Sequence, residues 1–209
     1  MQKFIIFDLD GTVLDTLESI YLSCNQYLKN HNYPYQYTKD EIQSFIGRGI
    51  INLFKQVIKS EEYTKEQIDE FIELFNKYQK DAKPYNKVKE TLESLHALGY
   101  KLFVFSNKAD PLVKDIQNNQ FKGFAFDGCF GHILSYNPKP DVTLLNKQII
   151  DKYNLDPKDG FYVGDSEVDY QTAINAKLKP ILVTYGYGKI KTIDCVKIDS
   201  FDKLIECSR

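Results

Sequence analysis

Four short runs of this chain are almost entirely apolar, and helical patterns lie between them. The runs cover residues 4–7, 102–105, 161–163 and 180–184, and a weaker candidate covers 132–135. A strand with one face in solvent alternates apolar and polar side chains, whereas a strand buried on both faces stays apolar throughout. Such runs, separated by helices, predict a doubly covered parallel sheet, which is a Rossmann-like α/β fold.

The segment 16–83 interrupts this alternation directly after the first run. Its apolar residues recur at helical spacing, and Thr64 followed by Gln67 is typical of a helix start with a capping box. Helices are predicted over 17–28 and near 39–46, 50–59 and 64–83. We therefore expect an all-helical domain at 16–83, inserted into an α/β core formed by 1–15 and 84–209.

Composition excludes several classes of function. The 209 residues include 43% hydrophobic and 27% charged residues, with a formal net charge of −2. This balance gives no broad attraction to nucleic acid or to an anionic membrane, and no apolar run is long enough to span a bilayer. Four scattered cysteines without a CxxC pair, and no signal peptide, predict free thiols in the cytoplasm. The partner expected is a small molecule, and the chain is expected to be a monomer or a homodimer.

Two carboxylates, Asp8 and Asp10, follow the first apolar run. Side chains at i and i+2 of a strand share a face, so the two acids repel each other unless a cation lies between them. Gly11 comes next and allows both a turn and the close approach of a ligand. The segment predicts a metal site, and the alternative is an acidic turn after a strand.

Polar side chains also follow the other predicted strands. Ser106 and Asn107 follow the second run, Lys139 follows the weak strand, and Asp165 and Asp169 follow the run at 161–163. Ligands of open α/β sheets bind beyond the carboxyl ends of the strands. Carboxylate oxygens without histidine or cysteine suit Mg²⁺, and a lysine with hydroxyl and amide donors suits a phosphoryl group.

These groups permit phosphoryl transfer. One carboxylate beside the metal can attack phosphorus in line and form an aspartyl phosphate. A second carboxylate can protonate the leaving oxygen and later activate water. Taken singly, Ser106 can also be a loop hydroxyl, and Asp165 and Asp169 can also belong to a capped helix start.

The four segments, in this order, resemble the signature of the haloacid dehalogenase superfamily with a helical cap after the first strand. The resemblance implies that Asp8 is the nucleophile and Asp10 the general acid/base. It implies that Lys139 stabilises the nucleophile and the phosphate, and that Mg²⁺ is the cofactor. The implied metal site comprises Asp8, Asp10, Asp165 and Asp169, and the implied phosphate-binding residues are Gly11, Thr12, Ser106 and Asn107.

Lys139 departs from the pattern of the superfamily. Relatives often show Lys-Pro-x-Pro-Asp, whereas here Lys139-Pro140 is followed directly by Asp141, and Asn137 stands where the more familiar lysine would be. A register shift of two residues accounts for the difference. Lys147 is the alternative.

Further matches narrow the expected activity. A second carboxylate at Asp10 favours phosphate ester chemistry over dehalogenation. Ser106-Asn107-Lys108 and the segments 164–173 and 184–187 are similar to phosphoglycolate phosphatases. The resemblance therefore implies a Mg²⁺-dependent phosphatase of a small phosphorylated metabolite. Within the cap, Arg48 lies between two glycines, where it either meets a substrate anion or is an exposed loop arginine.

Other functions remain open at this point. A β-phosphoglucomutase-like mutase shares the core and differs in its cap, and a nucleotidase or pyrophosphatase of the same superfamily is a further alternative. A phospho-accepting signalling domain resembling response-regulator receivers also uses acids, a hydroxyl and a lysine on a parallel sheet. Receivers are shorter, however, and lack the helical insertion and the second acid cluster. A catalytically inactive binding protein on the same fold is the last alternative.

Overall fold

The computed structural model describes residues 2–124, 126–190 and 192–208. These residues contain eight strands: β1 (Phe4–Phe7), β2 (Leu14–Asp15), β3 (Lys83–Pro84), β4 (Lys101–Ala109), β5 (Gly128–His132), β6 (Gly160–Gly164), β7 (Lys179–Val183) and β8 (Val196–Ile198). Six of them form a parallel sheet in the order β5-β4-β1-β6-β7-β8. The predicted parallel α/β fold is confirmed.

Helices cover both faces of the sheet and form the insertion. They are α1 (Leu17–Asn30), α2 (Lys39–Phe45), α3 (Ile50–Ile58), α4 (Lys65–Tyr78), α5 (Val88–Ala97), α6 (Asp110–Asn119), α7 (Thr143–Leu145, continued by a π-helical turn over Asn146–Asp151), α8 (Glu167–Asn175) and α9 (Leu204–Cys207). The predicted capping box of α4 is present, because Thr64 Oγ1 accepts from Gln67 N and Gln67 Oε1 accepts from Thr64 N. Within the described residues, no helix is both long and apolar enough to cross a membrane.

The central strand β1 divides its side chains between two cores. Ile5 and Phe7 belong to the cluster that includes residues of α5, α6 and α9, and Phe4 and Ile6 belong to the cluster that includes residues of α7 and α8. All four side chains are fully buried. Burial of each contributes about 2 kcal/mol, which explains why β1 carries no polar residue until Asp8. In the register, Phe7 lies opposite both Val104 and Val163, so the residues following β1, β4 and β6 meet at one edge.

Helices α1 to α4, which we call the cap, enclose a third cluster of their own. Its aromatic centre is Tyr27, whose ring lies edge-on to Phe54 at 5.0 Å and to Phe71 at 5.5 Å. Ala109 and Leu112 of the core complete this cluster. The strands β2 and β3 pair with each other at the two ends of the cap. The predicted division into 16–83 and the rest stays a prediction.

The observed strands differ from the predicted ones at β5 and at β8. The weak strand predicted at 132–135 is wrong, because the strand at this position is Gly128–His132. Its two glycines hide the apolar pattern, and a Cβ on Gly131 would lie 2.5 Å from Asp110 Cα, so the packing there requires glycine. The short edge strand β8 was not predicted, since two of its three residues are exposed and it has no continuous apolar run.

Candidate active site

Asp8 and Asp10 lie at the carboxyl edge of the sheet. The Asp8 amide donates to Val163 O at 2.8 Å, so the β1–β6 ladder continues by one residue and places the Asp8 carboxylate beyond the sheet. Gly11 then turns the chain with φ of +81°. A Cβ on Gly11 would lie 2.5 Å from Asp165 Oδ2, so the close approach of these two segments depends on glycine.

Asp165 and Asp169 come from the junction between β6 and α8. Ser166 caps the helix by accepting from Asp169 N, and Asp169 Oδ2 in return accepts from Ser166 N at 3.1 Å and from Asp165 N at 3.2 Å. Asp165 Oδ2 accepts from Tyr187 N at 2.6 Å and from Gly188 N at 3.2 Å. The helix start therefore fixes the Asp169 carboxylate, and the backbone amides of Tyr187 and Gly188 fix the Asp165 carboxylate.

Lys139 occupies the centre of the acid cluster. Its Nζ lies 2.7 Å from Asp8 Oδ1 and 2.7 Å from Asp169 Oδ1, and it donates to the hydroxyl of Tyr162 at 3.0 Å. The Tyr162 hydroxyl in turn donates to Phe105 O. The alternative, Lys147, is exposed and donates to Tyr136 outside the site. Of the two lysines considered, Lys139 is the one that meets Asp8.

Burial dominates the electrostatics of the site. It raises the pKa of Asp8 to about 6, against the attraction of Lys139 and with added repulsion from Asp169. Burial and the neighbouring carboxylates also raise the pKa of Asp165 well above its usual range. Burial alone would lower the pKa of Lys139, but attraction from Asp169 and Asp8 outweighs it and holds that pKa well above normal. The lysine therefore stays charged among the acids.

The carboxylates Asp8, Asp165 and Asp169 fit a hard divalent cation. Each offers an oxygen within 4.8 Å of the others. Asp8 Oδ1 is a buried atom that forms an ion pair but no well-aligned hydrogen bond, and burial, with added repulsion from Asp169, raises the pKa of this carboxyl. Oxygen donors of this kind suit Mg²⁺, whose charge would offset the crowding. The Asp10 carboxylate is not among this group of three.

Of the phosphate-binding residues predicted from the sequence, Ser106 and Asn107 line the cavity, whereas Gly11 and Thr12 are not among its described lining residues. Ser106 lines the cavity above the acids, and its Oγ accepts from the Lys108 amide at 3.3 Å. The Asn107 side chain accepts from Lys139 N at 2.6 Å and donates to Gly47 O of the cap at 2.9 Å. Asn107 therefore also ties the Lys139 segment to the cap. The buried Thr12 hydroxyl has no hydrogen-bond partner among the described residues.

A cavity of about 80 Å³ separates the acids from the cap. Its cap side is apolar apart from Gln43 and the glycine backbone of the α2–α3 turn. The apolar residues of that side are Ile20, Phe45, Ile46, Ile50, Leu53 and Phe75. Arg48 is exposed in the same turn and is not one of the described residues that line the cavity. The predicted contact of Arg48 with a substrate stays a prediction.

Lys108 was not assigned from the sequence. It lines the cavity with its side chain 4% exposed, and its Nζ lies 3.2 Å from Asp10 Oδ1. A signal was present, because Ser106 and Lys108 are two residues apart on β4 and strand alternation places both on one face.

Tyr187 and Gln43 were also missed, and both link the core to the cap. The Tyr187 hydroxyl accepts from Thr16 N at 2.6 Å and from Leu17 N at 2.9 Å, at the start of α1. Thr16 itself forms no side-chain cap, so a core residue caps the first cap helix. Gln43 of the cap donates to Tyr187 O at 3.1 Å. The sequence carries no local signal for either contact.

The fold and the site together define a class of protein with a parallel α/β core, carboxylates at the carboxyl ends of its strands, and a helical insertion after β1. A family model described as haloacid dehalogenase-like hydrolase matches residues 5–183. The chain belongs to this family.

Individual relatives are similar over nearly the whole chain. The phosphoglycolate phosphatase of Aquifex aeolicus is 30% identical over 196 residues, which covers 91% of this chain and 89% of the relative. That of Vibrio vulnificus strain YJ016 is 28% identical, covering 94% and 90%. A crystal structure described as a predicted phosphoglycolate phosphatase from Haemophilus somnus superposes with a TM-score of 0.82 at 29% identity, covering 100% of this chain and 98% of that one. The predicted family and the class of enzyme, a phosphatase hydrolysing phosphoric monoesters, are confirmed.

Proposed function

We propose that this phosphatase is Mg²⁺-dependent and hydrolyses a small phosphorylated metabolite, such as the one named in the phosphoglycolate phosphatases it resembles. The observation that carries the proposal is the placement of Lys139 between Asp8 and Asp169, with Asp165 and Asp10 around the same cavity. A carboxylate held by a charged lysine beside two further acids is suited to attack a phosphoryl group. The cytoplasm is part of the proposal, since all four cysteines are free thiols.

The proposed reaction has two steps. The Asp8 carboxylate attacks phosphorus, the bond from phosphorus to the leaving oxygen breaks, and Asp10 gives its proton to that oxygen. Asp10 then takes a proton from water, whose oxygen attacks the aspartyl phosphate and releases inorganic phosphate with regeneration of Asp8. Lys139 offsets the negative charge of the transferring group in both steps.

Asp8 and Asp165 are the carboxylates proposed to hold Mg²⁺. Asp169 has both oxygens occupied, one by Lys139 and the other by Ser166 and the Asp165 amide, so we propose that it orients the site. Bound Mg²⁺ would offset the charge on the phosphoryl oxygens. The Asp10 carboxylate pairs with Lys108, and we assign it to proton transfer in place of metal binding.

The cavity favours a small ester over the alternatives. A sugar phosphate carries several hydroxyl groups that need polar partners, and the cap side offers one polar side chain, Gln43, among the described lining residues. The polar atoms of a nucleotide's ribose and base would meet the same apolar cap side. Membership of the hydrolase family removes the signalling-domain alternative.

A phosphate-release assay over a substrate panel tests the proposal. The panel contains 2-phosphoglycolate, nucleotides, pyrophosphate, hexose phosphates and a generic aryl phosphate, each with Mg²⁺ or with EDTA. We expect Mg²⁺-dependent release from 2-phosphoglycolate, and loss of release in Asp8→Asn. The matched control is Asp199→Asn, an exposed carboxylate paired with Lys203. Phosphate release retained in Asp8→Asn would overturn the assignment of Asp8 as the nucleophile. Formation of glucose 6-phosphate from glucose 1-phosphate would favour a mutase.

A further inference from the structure

The proposed mechanism makes no use of Lys108, although this lysine is buried in the cavity. Its side chain is 4% exposed, its Nζ lies 3.2 Å from Asp10 Oδ1, and the Phe75 ring of the cap lies 5.5 Å from the same Nζ. Among the described residues, Asp10 is its one hydrogen-bond acceptor. An ammonium group has three N–H donors, so donors remain for a ligand.

The other lysine of the cavity is in the opposite situation. Lys139 is enclosed by oxygen atoms, because Asp8, Asp169 and the Tyr162 hydroxyl all lie within 3.0 Å of its Nζ. Two carboxylates offset its charge, whereas Lys108 contacts one carboxylate. Of the two lysines among the described lining residues, Lys108 is therefore the one that can bind an additional anion.

The position of Lys108 shows which part of a substrate it meets. Asp10 protonates the leaving oxygen in the proposed reaction, so the leaving alcohol lies beside Asp10 and within reach of Lys108. The cap surface around that point is apolar and includes Leu53 and Phe75. A charged hydrogen bond in such a low-dielectric setting is stronger than one in water. A leaving group with an anion close to its ester oxygen fits this arrangement.

We propose that Lys108 is a specificity-determining residue that binds the carboxylate carried by the leaving alcohol of a substrate such as 2-phosphoglycolate. This inference rests on the proposed phosphatase function and assigns a residue to the selection of its substrate. The carboxylate carbon of such an ester is two bonds from the leaving oxygen. One lysine can therefore contact both the carboxylate and Asp10.

A pair of matched substrates isolates this contact. 2-Phosphoglycolate and ethyl phosphate share the phosphate ester, but the first carries a carboxylate where the second carries a methyl group. We expect the wild type to prefer 2-phosphoglycolate in kcat/KM, and Lys108→Met to reduce that preference by roughly 10- to 100-fold, mainly through KM. Lys108→Arg keeps the charge and should retain part of the preference. Because Lys108 also contacts Asp10, both substrates will lose turnover, and the ratio removes this shared effect.

Arg48→Met provides the comparison, since Arg48 is the other cation suggested for a substrate anion. An unchanged ratio in Lys108→Met overturns the proposal, and so does a ratio that collapses only in Arg48→Met. Equal hydrolysis of the two substrates by the wild type also overturns it while the phosphatase function stands. If the wild type hydrolyses neither substrate, the proposed function fails. The role of Lys108 is then tested by calorimetry, which measures the affinity of Asp8→Asn for 2-phosphoglycolate. Adding Lys108→Met to this variant should weaken the affinity by a similar factor. An unchanged affinity would refute the role of Lys108.

Discussion

Replacing Asp8 with asparagine is expected to stabilise the metal-free protein at neutral pH, although it removes the proposed nucleophile. Burial raises the pKa of Asp8 from 3.8 to about 6, because the folded protein disfavours the ionised carboxylate. One pKa unit corresponds to about 1.4 kcal/mol, so a shift of roughly two units lowers the free energy of unfolding by about 3 kcal/mol once Asp8 is ionised. Asparagine has nearly the same shape and carries no charge, so the variant avoids this cost.

The gain must depend on pH in a defined direction. The folded state binds the Asp8 proton more tightly than the unfolded state, so the wild type loses stability as the pH rises from about 4 to about 6. Below this window both states are protonated and the wild type pays no penalty. The difference between variant and wild type should therefore be small near pH 4 and reach its full size above about pH 6.

Urea denaturation followed by far-UV circular dichroism measures this difference. Both proteins are unfolded in EDTA at pH 4.5 and pH 7.5, because a bound cation would offset the charge of Asp8. The control is again Asp199→Asn, since a hydrogen bond from Lys203 lowers the pKa of Asp199 and its removal should give no gain. The reasoning is refuted if Asp8→Asn is no more stable than the wild type at pH 7.5, or if it gains equally at both pH values.

Two further predictions concern the metal site and the core–cap contact. Mg²⁺ should raise the midpoint of thermal unfolding at pH 7.5, and it should raise it less at pH 5, where protons compete for Asp8. Asp165→Asn should remove most of this shift, and an equal shift in that variant would contradict the proposed metal site. Tyr187→Phe should cost about 1 kcal/mol of unfolding free energy and speed amide exchange at Thr16 and Leu17, the two donors to its hydroxyl. Tyr185→Phe, whose hydroxyl donates to Thr12 O, is the control, and identical exchange in the two variants would exclude the capping role.

The fold was predictable where burial leaves a clear pattern. β1 is apolar at every position because its side chains enter two different cores, and this periodicity reveals a strand buried on both faces. β5 and β8 escaped prediction for different reasons. β5 contains two glycines, and β8 lies at the edge of the sheet with Val196 exposed. Both strands are held in the sheet by pairing with strands distant in sequence, and neither has a continuous apolar run that would predict it.

The residues of the candidate site also fall into a predictable and an unpredictable group. Residues that directly follow a strand were predictable, since the ends of parallel strands meet at one edge whatever the details of packing. Asp8 and Asp165 belong to this group, and Lys139 follows the end of β5 after a connection of six residues. The contact of Tyr187 with α1 joins residues 171 positions apart, and the contact of Lys108 with Asp10 joins residues 98 apart. The Tyr187 contact depends on how the cap packs on the core, and the Lys108 contact depends on how the end of β4 meets the segment after β1. Local patterns encode neither.

The pairing of β2 with β3 has a consequence for the evolution of such chains. The chain leaves the core at Leu14–Asp15 and returns at Lys83–Pro84, and these strands are hydrogen-bonded neighbours. Paired antiparallel strands hold their backbones about 5 Å apart. Any folded unit whose two ends lie that close can be spliced in here without moving a strand of the six-stranded sheet. Recombination at this ribbon can therefore exchange the cap side of the cavity in one event while the core side, with its carboxylates, stays intact.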